Sequence, residues 1–118
     1  MTKEELKQRT KNFALRAIKL VNALPNTIAG RNIGSQLFRS GTSVAANYRA
    51  ACRSRSTAEF LAKLNTVIEE ADESLFWIEI IKESKIIDEN RLHSLLKEAD
   101  EIVAIMVASR KSVQKNNQ

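Results

Sequence analysis

The sequence predicts an all-α protein of 118 residues, an antiparallel up-and-down four-helix bundle. Its composition holds only three glycines and one proline, with 43% hydrophobic residues, which disfavours both disorder and a loop-rich β-fold. Apolar residues recur at helical spacing in four segments, and each segment has its own start or stop signal. Short connections between amphipathic helices are typical of bundles. We expect one bundle domain over residues 1–110 and a polar, disordered tail over residues 111–118.

The first two helices are separated by a proline. The first is predicted from about Lys3 to Leu24, because Pro25 disfavours the helical conformation in the residue before it. The second begins near Asn26 or Thr27 and continues to about Arg53. Its glycines either let a neighbouring helix approach closely or mark a bend near Ser40–Gly41. The apolar stripes are Leu6, Phe13, Ala17, Val21 and Leu24 in the first helix, and Ile33, Leu37, Val44, Tyr48 and Ala51 or Cys52 in the second.

The third and fourth helices begin at capping residues. The segment Ser56–Glu59 reads STAE, a capping box in which the serine hydroxyl accepts from the backbone N–H of Glu59 and the Glu59 carboxylate reaches back toward the serine. The third helix is predicted to end near Ser84, and Asp88 is predicted to cap the fourth. Their stripes are Phe60, Leu64, Val67, Ala71, Leu75 and Ile78 in the third helix, and Leu92, Leu95, Ala99, Ile102, Val103 and Met106 in the fourth.

A second apolar face on the third helix indicates self-association. Phe76, Trp77, Ile80 and Ile81 fall outside the main stripe of that helix. A helix that is apolar all round is buried all round, so these four residues are predicted to form an oligomer interface. The alternative is a thicker local core beneath the connection to the fourth helix.

The charge is divided unevenly along the chain. Residues 1–55 contain eleven Lys and Arg against two Asp and Glu, a net +9, whereas residues 56–118 contain eight against twelve, a net −4. On a helical wheel the arginines of the second helix lie opposite its core stripe. Such a stripe either binds the phosphates of RNA or DNA or pairs with carboxylates of the last two helices, within or between subunits. The candidate nucleic-acid-binding residues are Arg31, Arg39, Arg49, Arg53, Arg55 and, more weakly, Lys63.

Little in the sequence indicates catalysis. Nucleophilic catalysis needs a base beside the nucleophile, and nothing connects the single His93 to the single Cys52. No glutamate is followed three residues later by histidine, and the segment SGTSV lacks the phosphate-loop pattern. We therefore expect a non-enzymatic protein without a cofactor or metal. The lone cysteine and the absence of a signal peptide or a long apolar run favour a cytoplasmic protein without membrane contact.

The segment Gly41–Ile81, GTSVAANYRAACRSRSTAEFLAKLNTVIEEADESLFWIEII, resembles the signature of a known family. This is the four-helix bundle family of the intervening-sequence proteins of bacterial large-subunit ribosomal RNA, which includes the accessory variability protein of diversity-generating retroelements. The resemblance extends over nearly the whole chain. Ala50 stands where the family usually has glutamate, whereas Ser43, Asn47, Glu70, Ala71 and Glu73 match the family pattern.

The resemblance implies a bundle that assembles as a homopentameric barrel and acts near RNA or DNA, in some relatives together with a reverse transcriptase. The function expected from it and from the arginine stripe is nucleic-acid binding through a basic surface, as an accessory factor to a reverse transcriptase or to an rRNA-associated element. The alternative is a scaffold or adaptor whose charged faces serve subunit assembly and protein docking.

Overall fold

The four predicted helices are present in the computed structural model, which describes residues 1–116. They are α1 (Lys3–Ala23), α2 (Ile28–Cys52), α3 (Thr57–Glu83) and α4 (His93–Asn116). A single turn of 3₁₀-helix at Glu89–Arg91 precedes α4, and none of the described residues forms a strand. The helices run alternately up and down in an elongated bundle of 49 × 21 × 20 Å. No helix within this range is long and apolar enough to cross a membrane.

Hydroxyl side chains begin the first three helices. Thr2, Thr27 and Ser56 each accept a hydrogen bond from the backbone N–H three residues later, at 3.0–3.1 Å. These bonds satisfy donors that the first helical turn leaves unpaired. The predicted cap at Ser56 is confirmed, although only the hydroxyl half of the capping box forms among the described residues.

The connection between α3 and α4 differs from the prediction. Lys85 adopts a left-handed conformation with φ 60°, and the Ile86 N–H donates to the Ile81 carbonyl at 3.2 Å, as in a Schellman motif. Asp88 caps the 3₁₀ turn rather than α4, because its carboxylate accepts from the Asn90 N–H at 3.0 Å. The helix α4 therefore begins at His93, four residues after the start that a cap at Asp88 implies.

The chain remains helical beyond the predicted end of the bundle. Residues 111–116 were expected in a disordered tail, whereas α4 continues through Asn116. Val113 is half-buried and lines a cavity at the end of the bundle together with Cys52 and Phe60. The rest of the expected tail, residues 117–118, lies outside the described residues.

The core is continuous along the bundle and corresponds closely to the predicted stripes. Several predicted members pack only at its edge and are half-buried, including Ile33, Phe60 and Leu75. The core also contains small polar residues: the buried Ser74 hydroxyl lies 2.9 Å from both the Ser40 hydroxyl and the Glu70 carbonyl oxygen. The largest side chains with less than 2% exposure are Tyr48, Phe13, Leu37, Leu64, Ile78, Ile81, Leu92, Ile102, Met106, Val44, Val67 and Thr10.

Polar contacts connect the first helix to the last. The Arg9 guanidinium donates two hydrogen bonds to the Glu98 carboxylate, at 2.8 and 2.7 Å, and approaches Glu101 at 3.2 Å. Arg16 donates to the Ser94 hydroxyl at 2.8 Å. The guanidinium of Arg9 lowers the pKa of Glu98. Bidentate pairing of this kind fixes orientation as well as distance, so it sets the register of α4 against α1.

Gly41 allows α1 and α2 to approach closely. A Cβ atom added at Gly41 would lie 2.8 Å from the Cβ of Ala17, closer than two carbon atoms can pack. At Gly34 an added Cβ would meet Val21 and Leu24 at 3.4 Å, which is an ordinary contact distance. The prediction that glycine permits a close helix approach is therefore confirmed at Gly41, and α2 is continuous through this position.

Alanine substitutions at these two glycines are expected to have opposite effects. Gly41→Ala should lower the free energy of unfolding by about 1 kcal/mol or more, because overpacking costs about 1–3 kcal/mol and exceeds the gain in helix propensity. Gly34→Ala is the matched control and should be neutral or stabilising by up to about 1 kcal/mol. Urea unfolding followed by circular dichroism measures both. Equal stability of the two variants would contradict the close packing at Gly41.

Candidate nucleic-acid interface

The outer surface of α2 carries a row of exposed arginines, as predicted. Arg31, Arg49 and Arg53 are all exposed and lie opposite the side chains that α2 buries. The Arg31 guanidinium donates to the side-chain oxygen of Asn26 at 2.9 Å, a neutral partner that leaves its positive charge uncompensated. Within residues 1–116 no carboxylate pairs with any of these three arginines.

Arg39 has a different environment from the rest of the row. Its guanidinium contacts the carboxylates of Glu70 and Glu73 on α3, at 2.7 and 2.5 Å. The hydrogen bond from Arg39 lowers the pKa of Glu73, and the indole N–H of Trp77 also donates to Glu73, at 3.2 Å. The ion-pair alternative is therefore realised within one chain at Arg39, which is neutralised and is not part of the candidate interface.

A basic groove lies between α1 and α2. Its cations are Lys7 and Lys11 from α1 and Arg49 from α2, and the small side chains of Ala45 and Ala46 leave space between the helices. The groove has a volume of about 330 Å³ and is also lined by Glu4 and Gln8. Glu4 pairs with Lys7. Lys11 and Arg49 have no carboxylate partner among the described residues, so they give the groove a net positive charge.

The convergence of these cations was not predicted. The sequence places Lys7 and Lys11 off the apolar stripe of α1, but it does not give the rotation of α1 against α2. The structure places Ala17 directly against Gly41 and brings both lysines to the same groove as Arg49. Positions 45 and 46 are the signal that could have located the groove, because adjacent alanines on an arginine-bearing face leave room between helices.

The remaining predicted binding residues lie outside the groove. Arg53 follows the last residue of α2 and is exposed about one turn beyond Arg49. Arg55 lines a separate cavity of about 450 Å³ at the end of the bundle, together with Lys3. Lys63 is exposed on α3. The structure therefore brings Arg49 together with lysines of α1, but it does not bring all six predicted residues into one cluster.

The predicted oligomer interface is only partly accessible. Phe76 is 50% exposed, and its ring meets the ring of Trp77 edge to face, with centroids 5.0 Å apart. Trp77 and Ile80 are half-buried. Ile81, in contrast, is completely buried in the core of the same chain, so its assignment to the interface was wrong. The thicker local core is realised at Ile81, and the aromatic patch of α3 consists of Phe76, Trp77 and Ile80.

His93 and Cys52 lie in different parts of the bundle. Cys52 is half-buried near the end of α2, beside Tyr48, whose pKa is raised by burial and by the neighbouring thiol. His93 is exposed at the start of α4, in a groove with Glu79 and Asp100. Across residues 1–116 there is no group of three or more side chains arranged to hold a metal ion.

Comparison with known proteins shows similarity to one protein family and to solved structures. The model of a family described as 23S rRNA-intervening sequence protein matches residues 2–108. A crystal structure of a protein of unknown function from the S23 ribosomal protein family of Bacteroides thetaiotaomicron superposes with a TM-score of 0.84. That protein is 30% identical, and the alignment covers 94% of this chain and 99% of that one. No curated protein matches the chain.

The pKa of Glu73 tests whether the Arg39 guanidinium pairs with the carboxylates of α3 in solution. In the native protein this pKa should lie below its ordinary value, and Arg39→Gln should raise it, because the main hydrogen bond that stabilises the carboxylate is lost. Because the pKa of Glu73 is lower in the folded state than in the unfolded state, its ion pair stabilises the fold at pH values above the unfolded-state pKa. This stabilisation is lost as the pH falls through the folded-state pKa. Carboxyl NMR titration measures the shift. Arg53→Gln is the matched control, and an equal response to both variants would contradict the assignment.

Proposed function

The chain belongs to the family of 23S rRNA-intervening sequence proteins, and from this membership and its basic α1–α2 groove we propose that it is a non-catalytic four-helix bundle that binds nucleic acid. The ligand is the phosphate backbone of RNA or DNA, and the residues that contact it are Lys11, Arg31, Arg49 and Arg53. The observation that carries the proposal is the convergence of Lys11 and Arg49 without a carboxylate partner among the described residues.

The distribution of charge supports this assignment. Acidic residues of α3 and α4 neutralise Arg39 and Arg9, which face them, but they do not compensate the outer surface of α1 and α2. A surface with excess cations attracts polyanions, and each phosphate contact releases condensed counterions. Contacts with phosphates carry little information about the base sequence of the nucleic acid. The protein is therefore proposed to recognise a nucleic-acid backbone rather than a base sequence.

The biological setting proposed for this binding has two forms. The family description supports an element associated with ribosomal RNA. The family whose signature Gly41–Ile81 resembles includes the accessory variability protein of diversity-generating retroelements, which supports an accessory role beside a reverse transcriptase. Both settings use the same chemistry, which is the contact of cations with phosphates.

Salt titration of RNA binding tests the proposal. The double variant Lys11→Ala with Arg49→Ala should flatten the slope of log affinity against log salt by about 1.4 for a single strand or about 1.8 for a duplex, because two phosphate contacts are lost. The matched control is Lys97→Ala with Lys111→Ala, which removes two exposed charges from α4. Fluorescence anisotropy with a labelled RNA gives the slopes. Absence of binding at low salt, or the same slope for both double variants, would refute the proposal.

The aromatic patch favours a second role, in subunit assembly. Phe76 is half-exposed, next to an indole whose N–H is already bonded to Glu73. Exposed aromatic groups of this kind are enriched at protein interfaces. We propose that the patch joins copies of this chain in a homo-oligomer, for which the family resemblance implies five subunits. In the scaffold alternative, assembly and protein docking would be the whole function.

Light scattering of a patch variant tests the assembly. Phe76→Asp should reduce the mass to that of a monomer, 13.3 kDa, because a buried unpaired carboxylate opposes association. Phe38→Asp is the matched control, since Phe38 is similarly exposed, at 49%, but lies on α2. The helical circular dichroism spectrum should be unchanged in both. A monomeric wild-type protein, or dissociation by the control alone, would exclude the patch as the interface.

A further inference from the structure

Phe38 occupies an unusual position for a large apolar side chain. It is 49% exposed on the outer surface of α2, within the row of arginines. It follows Arg31 by seven residues and precedes Arg49 by eleven. At 100° per residue, both spacings bring the side chains to within about 20° of one line along the helix. Phe38 therefore lies between two cations on a single strip of surface.

Within the described residues, the ring of Phe38 takes part in neither an aromatic pair nor a cation–π contact. Among residues 1–116 the rings that pair are Phe76 and Trp77, and the cation that lies over a ring is Lys3 over Phe60. Neither interaction involves Phe38. Phe38 is also not among the side chains that form or border the core.

The spacing of the strip suits an extended polynucleotide. With a rise of 1.5 Å per residue, Phe38 lies about 10 Å along the axis from Arg31 and about 16 Å from Arg49. These are separations of a few nucleotides in an extended strand. Proteins that bind single strands combine a cationic track along the backbone with aromatic rings on which bases stack. A duplex cannot use such a ring without unstacking a base pair.

We propose that the α2 strip binds single-stranded RNA or DNA, with a base stacked on Phe38 and flanking phosphates at Arg31 and in the groove of Lys11 and Arg49. This inference rests on the proposed function and adds a preference for unpaired strands. The backbone contacts provide affinity for any nucleic acid, whereas Phe38 discriminates single strands from duplexes.

Substitutions that remove or retain the ring test the proposal. Phe38→Leu should weaken binding of a single-stranded RNA by about tenfold, because stacking of one base is lost, and should leave binding of the matching duplex unchanged. Phe38→Tyr retains the ring and should keep wild-type affinity for the single strand. Leu15→Ala is the control for loss of exposed apolar surface, since Leu15 is 56% exposed on α1, and it should have no effect on either ligand.

A spectroscopic measurement distinguishes stacking from an indirect effect. In the double variant Phe38→Trp with Trp77→Phe, the fluorescence of the single indole should be quenched by the single strand but not by the duplex. Equal loss of both ligands in Phe38→Leu, or no loss of either, would overturn the role of Phe38. Both results would leave the salt dependence of backbone binding intact, so failure of this inference is separable from failure of the proposed function.

Discussion

The position of the basic surface depends on the close approach of α1 to α2. Gly41 has no side chain, and Ala17 packs directly against its backbone. Two helices this close bring their outer residues within reach of one another. Lys11 and Arg49, which are distant in sequence, consequently line one groove. A bulkier contact at this level would push the two helices apart, because an added Cβ at Gly41 meets Ala17 at 2.8 Å.

The helix α2 shows that the ion pairing of an arginine depends on which neighbouring helix it faces. On the α3 side, Arg39 faces Glu70 and Glu73 and becomes part of the packing between helices. On the α1 side, Arg49 faces lysines and stays uncompensated. The opposite net charges of the two halves of the chain therefore serve two purposes. They connect α2 to α3 through ion pairs, and they leave a cationic surface where α2 meets α1.

The sequence predicted the fold more completely than the site. Periodicity and capping residues located all four helices, because these signals are local and short in range. They failed at Asp88, where the chain forms a 3₁₀ turn first, and at Ile81, whose burial depends on how the α3 end packs against the following connection. The arginine row was visible on a helical wheel, but its division into paired and unpaired members was not. That division depends on interhelical rotation, which is set by contacts between residues far apart in the chain.

The two candidate surfaces are compatible with one another because they lie on different helices. The aromatic patch of Phe76, Trp77 and Ile80 belongs to α3, whereas the cationic groove lies between α1 and α2. Assembly through the aromatic patch would not use any of the residues that line the groove. Each groove presents few unpaired cations, so a single groove would hold a nucleic acid only weakly at physiological salt. Several grooves in one assembly would bind the same strand at a high effective concentration, and avidity would then supply the affinity that a single groove lacks.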